Sequence, residues 1–230
     1  MAIDNEYYRL RNVSEDFYQN YSVPIFIRSR MEKNQSILDF GCGYGQLLLG
    51  LNQLGFTDLC GLDINIPALE VCKKNNLTVT SSIDELILAG KKFDWVVCSH
   101  VIEHIPKKEV ISTLTLIREK LLAPDGRFFV MVPNAMSNTG CYWRYEDWTH
   151  ETLFTPGSLL YVLKAAGFSN VEFIDPDCTE GSRWDKKIFK QFFLYLYRLN
   201  IKFWNRITTS SYHQPSPQIY SYELKAVARR

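Results

Sequence analysis

The sequence of 230 residues has no marked excess of one charge, no paired cysteines and no long apolar run. Lys and Arg number 26 against 25 Asp and Glu, a formal net charge of +1. Dedicated nucleic-acid binders usually carry a large basic excess, so no nucleic-acid partner is expected. No stretch approaches the ~18 uncharged apolar residues of a spanning helix. Residues 1–6 show no basic segment leading into an apolar one, so a signal peptide is not expected either. Contact with a membrane is then at most peripheral. The six cysteines, Cys42, Cys60, Cys72, Cys98, Cys141 and Cys178, are scattered and form no C-x-x-C pair. Cys60 and Cys98 sit in apolar strand-like runs, where a free thiol acts as a small buried hydrophobe. A reducing cytoplasm is the expected compartment, and no metal site is expected from these spacings. Internal repeats and low-complexity segments are absent as well.

What is present is an ordinary globular composition, 46% hydrophobic and 22% charged, enough for one domain over residues 1–230. Short apolar runs at 36–40, 59–63, 77–80, 93–98, 127–132, 171–174 and 220–228 read as strands. Helical spacing occupies 46–54, 67–75, 110–122, 158–166 and 185–206, and residues 6–32 read as one or two further helices. Pro67 suits a first helical turn, Gly167 a helix end, and Pro124-Asp125-Gly126 a turn. Strands alternating with helices imply parallel βαβ units in a doubly wound α/β sheet. The rhythm breaks at 134–157, which reads as an irregular loop, a feature that compact domains keep for function.

The first strand runs into Gly41-Cys42-Gly43-Tyr44-Gly45. Glycines here let backbone approach a ligand closely. The dinucleotide fingerprint requires a glycine where this chain has Gln46. Asp39, at the end of the strand, would repel a pyrophosphate. It suits instead a ligand bearing ammonium and sulfonium charge. Asp63 ends the second strand at the same sheet edge, where ligands of open α/β sheets collect, and a carboxylate there can hold a ribose diol.

The segments 37–45, 61–64 and 93–105, in this order and spacing, resemble the class I S-adenosylmethionine-dependent methyltransferases. The resemblance covers residues 36–133. It implies a Rossmann-like fold, a mostly parallel seven-stranded sheet whose last strand is antiparallel, and S-adenosylmethionine as cofactor. Residues 1–35 then form an N-terminal helical cap, 36–133 the cofactor core and 134–230 the acceptor side. Asp39, Gly41 and Gly43 would surround the methionine moiety and Asp63 the ribose, with Gly45 and Ile64 as further contacts. Ser82 and Ile83 would lie near adenine, and Ser99 and His100 near the sulfonium.

An alcohol acceptor must lose a proton as its methyl group arrives, and histidine is suited to that near neutral pH. Of the four histidines, His213 reads as surface and His100 as a cofactor neighbour. His104 and His150 remain as candidate bases, with Asp147 placed to orient His150. The D-x-T-H at 147–150, F-T-x-x-S-L at 154–159 and A-G-F at 166–168 resemble methyltransferases of bacterial surface-polysaccharide and lipopolysaccharide biosynthesis. That resemblance implies a sugar or glycan-linked acceptor, methylated at oxygen and contacted by Arg144, Asp147 and His150. Two alternatives stand beside it: a small-molecule or quinone-precursor methyltransferase, and a non-catalytic cofactor-binding module of a glycan-assembly complex. The helix at 185–206 interleaves aromatics with Lys186, Lys190, Arg198, Lys202 and Arg206. It is expected to pack its aromatics over the acceptor pocket and to leave a solvated basic face; the other reading is a surface for anionic lipid or a lipid-linked glycan. Oligomeric state is not legible.

Overall fold

A computed structural model describes residues 2–14, 21–213 and 216–230. Its strands are β1 (Ile37–Phe40), β2 (Leu59–Leu62), β3 (Val79–Thr80), β4 (Phe93–Ser99), β5 (Leu122–Pro133), β6 (Ser169–Phe173) and β7 (Glu223–Arg229). They form one sheet in the order β3-β2-β1-β4-β5-β7-β6. Pairing is parallel from β3 through β5, and β7 is antiparallel to both its neighbours. This is the mostly parallel seven-stranded sheet with an antiparallel last strand.

Alternation along the strands splits the core in two. Leu38, Val96, Phe128 and Val130 face one layer. Ile37, Trp95, Val97 and Phe129 face the other, against Val23 and Ile27. Both faces are covered, so the central strands read as continuous apolar runs. Burying each large side chain contributes ~1.5–3 kcal/mol. The flanking helices are α3 (Gln46–Gln53), α4 (Ile66–Lys74), α5 (Ile83–Leu88), α6 (Val110–Leu116) and α8 (Pro156–Ala165). The order reverses at β1, whose neighbours are β2 and β4, and this puts the ligand crevice at the carboxyl ends of β1 and β4.

The remaining helices are α1 (Ala2–Leu10), α2 (Ile25–Arg28), α7 (Gly140–Glu146) and α9 (Trp184–Ile207). Several expectations need correction. The helix expected over 110–122 is α6 followed by a π turn, Ile117–Leu121. Pro124-Asp125-Gly126 does not separate β5 from what precedes it: the strand begins at Leu122, and its register against β4 jumps from Leu122 to Arg127. The loop at 134–157 is not wholly irregular, because α7 lies within it. The helical reading of residues 6–32 resolves into α1 and α2, and residues 15–20 within it lie outside the described residues. The F-T-x-x-S-L series is a helix start. Thr155 and Ser158 form a capping box on α8, each side chain bonding the other's backbone N–H.

The largest correction concerns α9. None of its residues is buried; Phe189, Phe193 and Tyr197 line an open groove with Tyr220, and the rest of its aromatic surface is not sequestered as expected. Phe189, Phe192, Phe203 and Trp204 are 54–66% exposed. The face toward the body is held by polar links, with Lys190 Nζ donating to the Cys178 carbonyl at 2.7 Å and Arg198 paired with Asp177 at 2.7 Å. Among the described residues no helix is long and apolar enough to cross a membrane.

Candidate active site

The glycine loop follows from local sterics. Gly41 and Gly43 have φ of +83° and +52°, where residues with a Cβ are strained. A Cβ on Gly41 would meet Val101 Cγ2, and one on Gly43 would meet the Tyr8 hydroxyl. Gly45, at φ +78°, precedes α3. Asp63 fastens this loop from the next strand. Its Oδ2 accepts from Gly43 N at 2.7 Å and its Oδ1 from Asn65 N at 2.8 Å. Asp39, Gly41, Gly43, Gly45 and Asp63 are thus gathered at one edge as expected.

Asp39 is buried beside Asp63. Burial, reinforced by the Asp63 charge, pushes its pKa up to about 7. Asp63 is also raised, again by burial first, against the pull of its backbone N–H donors. Two carboxylates in a shielded crevice, beside a backbone that leaves room for no Cβ, fit a cationic amino-acid cofactor and disfavour a pyrophosphate. Asp39 binds its proton more tightly folded than unfolded, so its contribution to stability is complete below the ordinary value of 3.8 and is lost as pH rises toward 7. For a cationic ligand that needs the ionised form the sign is opposite. Affinity for S-adenosylhomocysteine is expected to rise fivefold to tenfold, roughly, from pH 6 to 7.5 by this linkage. Calorimetry across that range should show the rise in the wild type and a flat profile in Asp39→Asn; a flat wild type would contradict it.

Other expected cofactor contacts are partly engaged. The Ser82 hydroxyl caps α5 by accepting from Glu85 N, which leaves its O–H free to donate, and Ile83 beside it is half-buried. Ile64 is 69% exposed at the rim. Ser99 ends β4. His100 has φ +55° and lies between two carboxylates, Glu103 Oε1 at 3.3 Å and Glu223 Oε1 at 3.1 Å. Desolvation lowers its pKa, but the two carboxylates outweigh this and push it up to about 10. The ring is therefore held between Glu103 and Glu223.

The chain then turns through Ile102–His104 and brings His104 against His150, ring centroids 4.6 Å apart. His150 is buried, and its Nδ1 lies 2.6 Å from the Trp143 carbonyl. His104 Nδ1 lies 2.8 Å from Thr149 Oγ1. Burial lowers the pKa of His104, favouring its neutral form. Asp147 is not free to grip an acceptor. It accepts from the Tyr7 hydroxyl at 2.6 Å, from Thr149 N at 3.0 Å and from Thr149 Oγ1 at 2.7 Å, and it pairs with Arg11. These bonds draw its pKa below the usual carboxylate value, against the opposing effect of burial. Its Oδ2 is 3.9 Å from His150 Nε2, so it does not hydrogen-bond that ring. Arg144 donates to the His150 carbonyl and pins the loop. Both hold the loop that carries His150.

Sequence reasoning missed three participants. Tyr7 and Tyr8 on α1 bridge the two halves of the site: Tyr8 packs on Tyr44 of the glycine loop at 4.5 Å, and Tyr7 meets His104 edge-on at 6.1 Å. Nothing in a short aromatic N-terminal segment signals that role. Glu103 is wholly buried with neither carboxylate oxygen accepting a hydrogen bond. Its position beside His104 in the sequence was the available signal.

The chain matches a family model described as a methyltransferase domain over residues 15–173, and it belongs to that family. It is 28% identical over 185 residues to the ubiquinone biosynthesis O-methyltransferase of Cereibacter sphaeroides, covering 72% of this chain and 70% of that protein. The enzyme of the same name from Bartonella tribocorum is 33% identical over 108 residues, 44% of this chain and 42% of that one. Among solved structures, a SAM-dependent methyltransferase from Archaeoglobus fulgidus aligns over 97% of this chain and 98% of its own, with TM-score 0.65 and 22% identity. Magnesium protoporphyrin IX methyltransferase from Synechocystis, with bound SAH, aligns over 94% and 83% with TM-score 0.55 and 14% identity. The chain is therefore a SAM-dependent methyltransferase. Neither ubiquinone relative is named for glycan methylation, so the expected sugar acceptor has no support from them.

Proposed function

We propose that this enzyme O-methylates a hydroxyl on a lipophilic acceptor of the quinone-precursor type. The observation that carries this reading is the largely apolar groove of about 790 Å³ beneath α9, lined by Phe189, Phe193, Leu194, Tyr197 and Tyr220 together with Asn138, Asp185, Lys186 and Lys190. Its aromatic surface suits an apolar tail, and its charged residues suit a polar head group on the same acceptor. The ubiquinone relatives agree with it.

When bound, S-adenosylmethionine supplies a sulfonium methyl group for in-line displacement. Asp39 and the glycine loop hold the amino-acid end, and Asp63 the ribose. Glu103, His104 and His150 form the polar cluster that receives the acceptor hydroxyl, and α1 covers both through Tyr7 and Tyr8. Alignment of this kind is worth up to ~7–11 kcal/mol. Methyl-labelled cofactor incubated with a prenylated catechol, and separately with a lipid-linked saccharide, tests the assignment. Label on the catechol oxygen is expected. Label on the saccharide alone would return the acceptor to the glycan class.

In this reading α9 rests on a membrane where such acceptors reside. It carries six cations against one carboxylate, and Ile188, Phe192, Leu196, Leu199, Phe203 and Ile207 recur along its outer face at spacings of three and four. Charge complementarity favours an anionic bilayer, because a second copy of the same basic face would be repelled. The protein is expected to sediment with phosphatidylglycerol vesicles but not with phosphatidylcholine ones. Phe192→Ser/Phe203→Ser should abolish the effect. Equal recovery with both lipids would contradict this role.

A further inference from the structure

We propose that Glu103, His104 and His150 bind a divalent metal ion at the acceptor end of the crevice. One donor atom from each of the three lies within 4.8 Å of the others. The hydrogen bonds around them fix where the ring protons are. A carbonyl can only accept, so the bond from His150 to the Trp143 carbonyl puts the proton on Nδ1 and leaves a lone pair on Nε2. Thr149 Oγ1 gives its own proton to Asp147 Oδ1 at 2.7 Å, so toward His104 Nδ1 it acts as acceptor. His104 therefore also carries its lone pair on Nε2. Metal-binding histidines have this arrangement, with the outer nitrogen donating to a carbonyl, or to a group oriented by a carboxylate, and the inner one left to ligate.

Glu103 supplies the independent observation. It is fully buried, and neither oxygen accepts a hydrogen bond. A buried charge is costly unless it is paired or coordinates a metal, and the ion pair with His100 reaches Oε1 alone, leaving Oε2 with no partner. Its charged neighbour, His100 Nδ1 at 3.3 Å, faces Oε1 and is shared with Glu223. Two imidazoles and one carboxylate form a borderline donor set. It suits a transition-metal dication such as Mn²⁺, Fe²⁺, Co²⁺ or Zn²⁺ better than Mg²⁺ or Ca²⁺, which take mostly oxygen. Donors on one ion stand about 3 Å apart at such bond lengths, so the side chains must draw together by small rotations when the ion enters. Cysteine spacing gave no hint of this site because the set contains no cysteine.

The inference rests on the proposed acceptor chemistry in one respect only, the use made of the ion. Three protein ligands leave coordination positions for an acceptor hydroxyl, whose pKa the ion would lower. The hydroxyl proton passes to water. The oxyanion then forms its O–CH3 bond as the S–CH3 bond breaks, and the electron pair stays on sulfur.

The test is titration of the full chain with Mn²⁺, followed by electron paramagnetic resonance of the free ion. Mn²⁺ is chosen because the free thiols favour softer metals. One saturable site per chain is expected. Glu103→Gln, His104→Gln and His150→Gln should each weaken it by at least ~10–100-fold, the scale of losing even an outer partner. His213→Gln, at an exposed histidine, should leave it unchanged. S-adenosylhomocysteine binding by the three variants serves as the check that they fold. Absence of a saturable site in the wild type, or unchanged affinity in all three variants, would overturn the inference. Methyl transfer by chelator-treated protein separates the two claims: with the Mn²⁺ site lost and transfer to the catechol intact, the metal role falls and the acceptor assignment stands.

Discussion

Replacing His150 or His104 by glutamine is expected to lower turnover by ~10²-fold or more, the scale of lost help in ionising the acceptor hydroxyl, while leaving affinity for S-adenosylhomocysteine unchanged. The two rings stand 4.6 Å apart, on a strand-end turn and a loop that meet through the Glu103 carbonyl, which accepts from Glu151 N and Thr152 N. Neither ring touches the residues that fasten the glycine loop. Loss of either should therefore act on the chemical step. Asp147→Asn provides the contrast. Asp147 joins α1 to the acceptor loop through Tyr7, Arg11 and Thr149, so its loss should raise KM for the acceptor more than it lowers kcat. Steady-state kinetics with calorimetry of the cofactor product check both. A His150 and a His104 variant that both keep normal turnover would remove this cluster from the reaction.

Gly41→Ala should be the most damaging change on the cofactor side. Forcing a residue with a Cβ into the left-handed region costs ~1–2 kcal/mol. The added methyl also meets Val101 Cγ2, a stiff β-branched side chain, and overpacking of this kind costs a further ~1–3 kcal/mol. For a chain of this length the sum corresponds to a fall in Tm of roughly 4–20 °C. Val101 lies just before the turn that carries Glu103 and His104, so the strain should also reach the acceptor side. Removing the Val101 side chain beyond Cβ in Gly41→Ala/Val101→Ala relieves the clash and leaves the backbone strain. Thermal melts of both variants should show partial recovery in the double variant. Equal Tm values for Gly41→Ala and wild type would show that the loop has another conformation.

The central sheet was legible because β1, β4 and β5 are covered on both faces and so read as unbroken apolar runs. The cofactor crevice was legible because glycines and strand-end carboxylates have few other uses in that arrangement. What escaped depends on partners distant in sequence. Seven-residue α7 has an exposed, mixed aromatic surface and no apolar period to mark it. The aromatics of α9 suggested a buried face; the charged residues that hold it, Lys190 and Arg198, bind Cys178 and Asp177, and that pairing is not visible in the helix itself. Asp147 and Arg144 resembled acceptor contacts, yet Tyr7, Thr149 and the His150 carbonyl already engage them.

The account depends on one crevice that joins Asp39 and Asp63 to the Glu103, His104 and His150 cluster. A crystal structure of the complex with S-adenosylhomocysteine tests this most directly. The predicted result has the amino-acid end at Asp39 and the glycine loop, the ribose hydroxyls on Asp63, and the sulfur facing the two histidines beneath Tyr7. A sulfur directed away from His104 and His150, or a ribose held by residues other than Asp63, would contradict it.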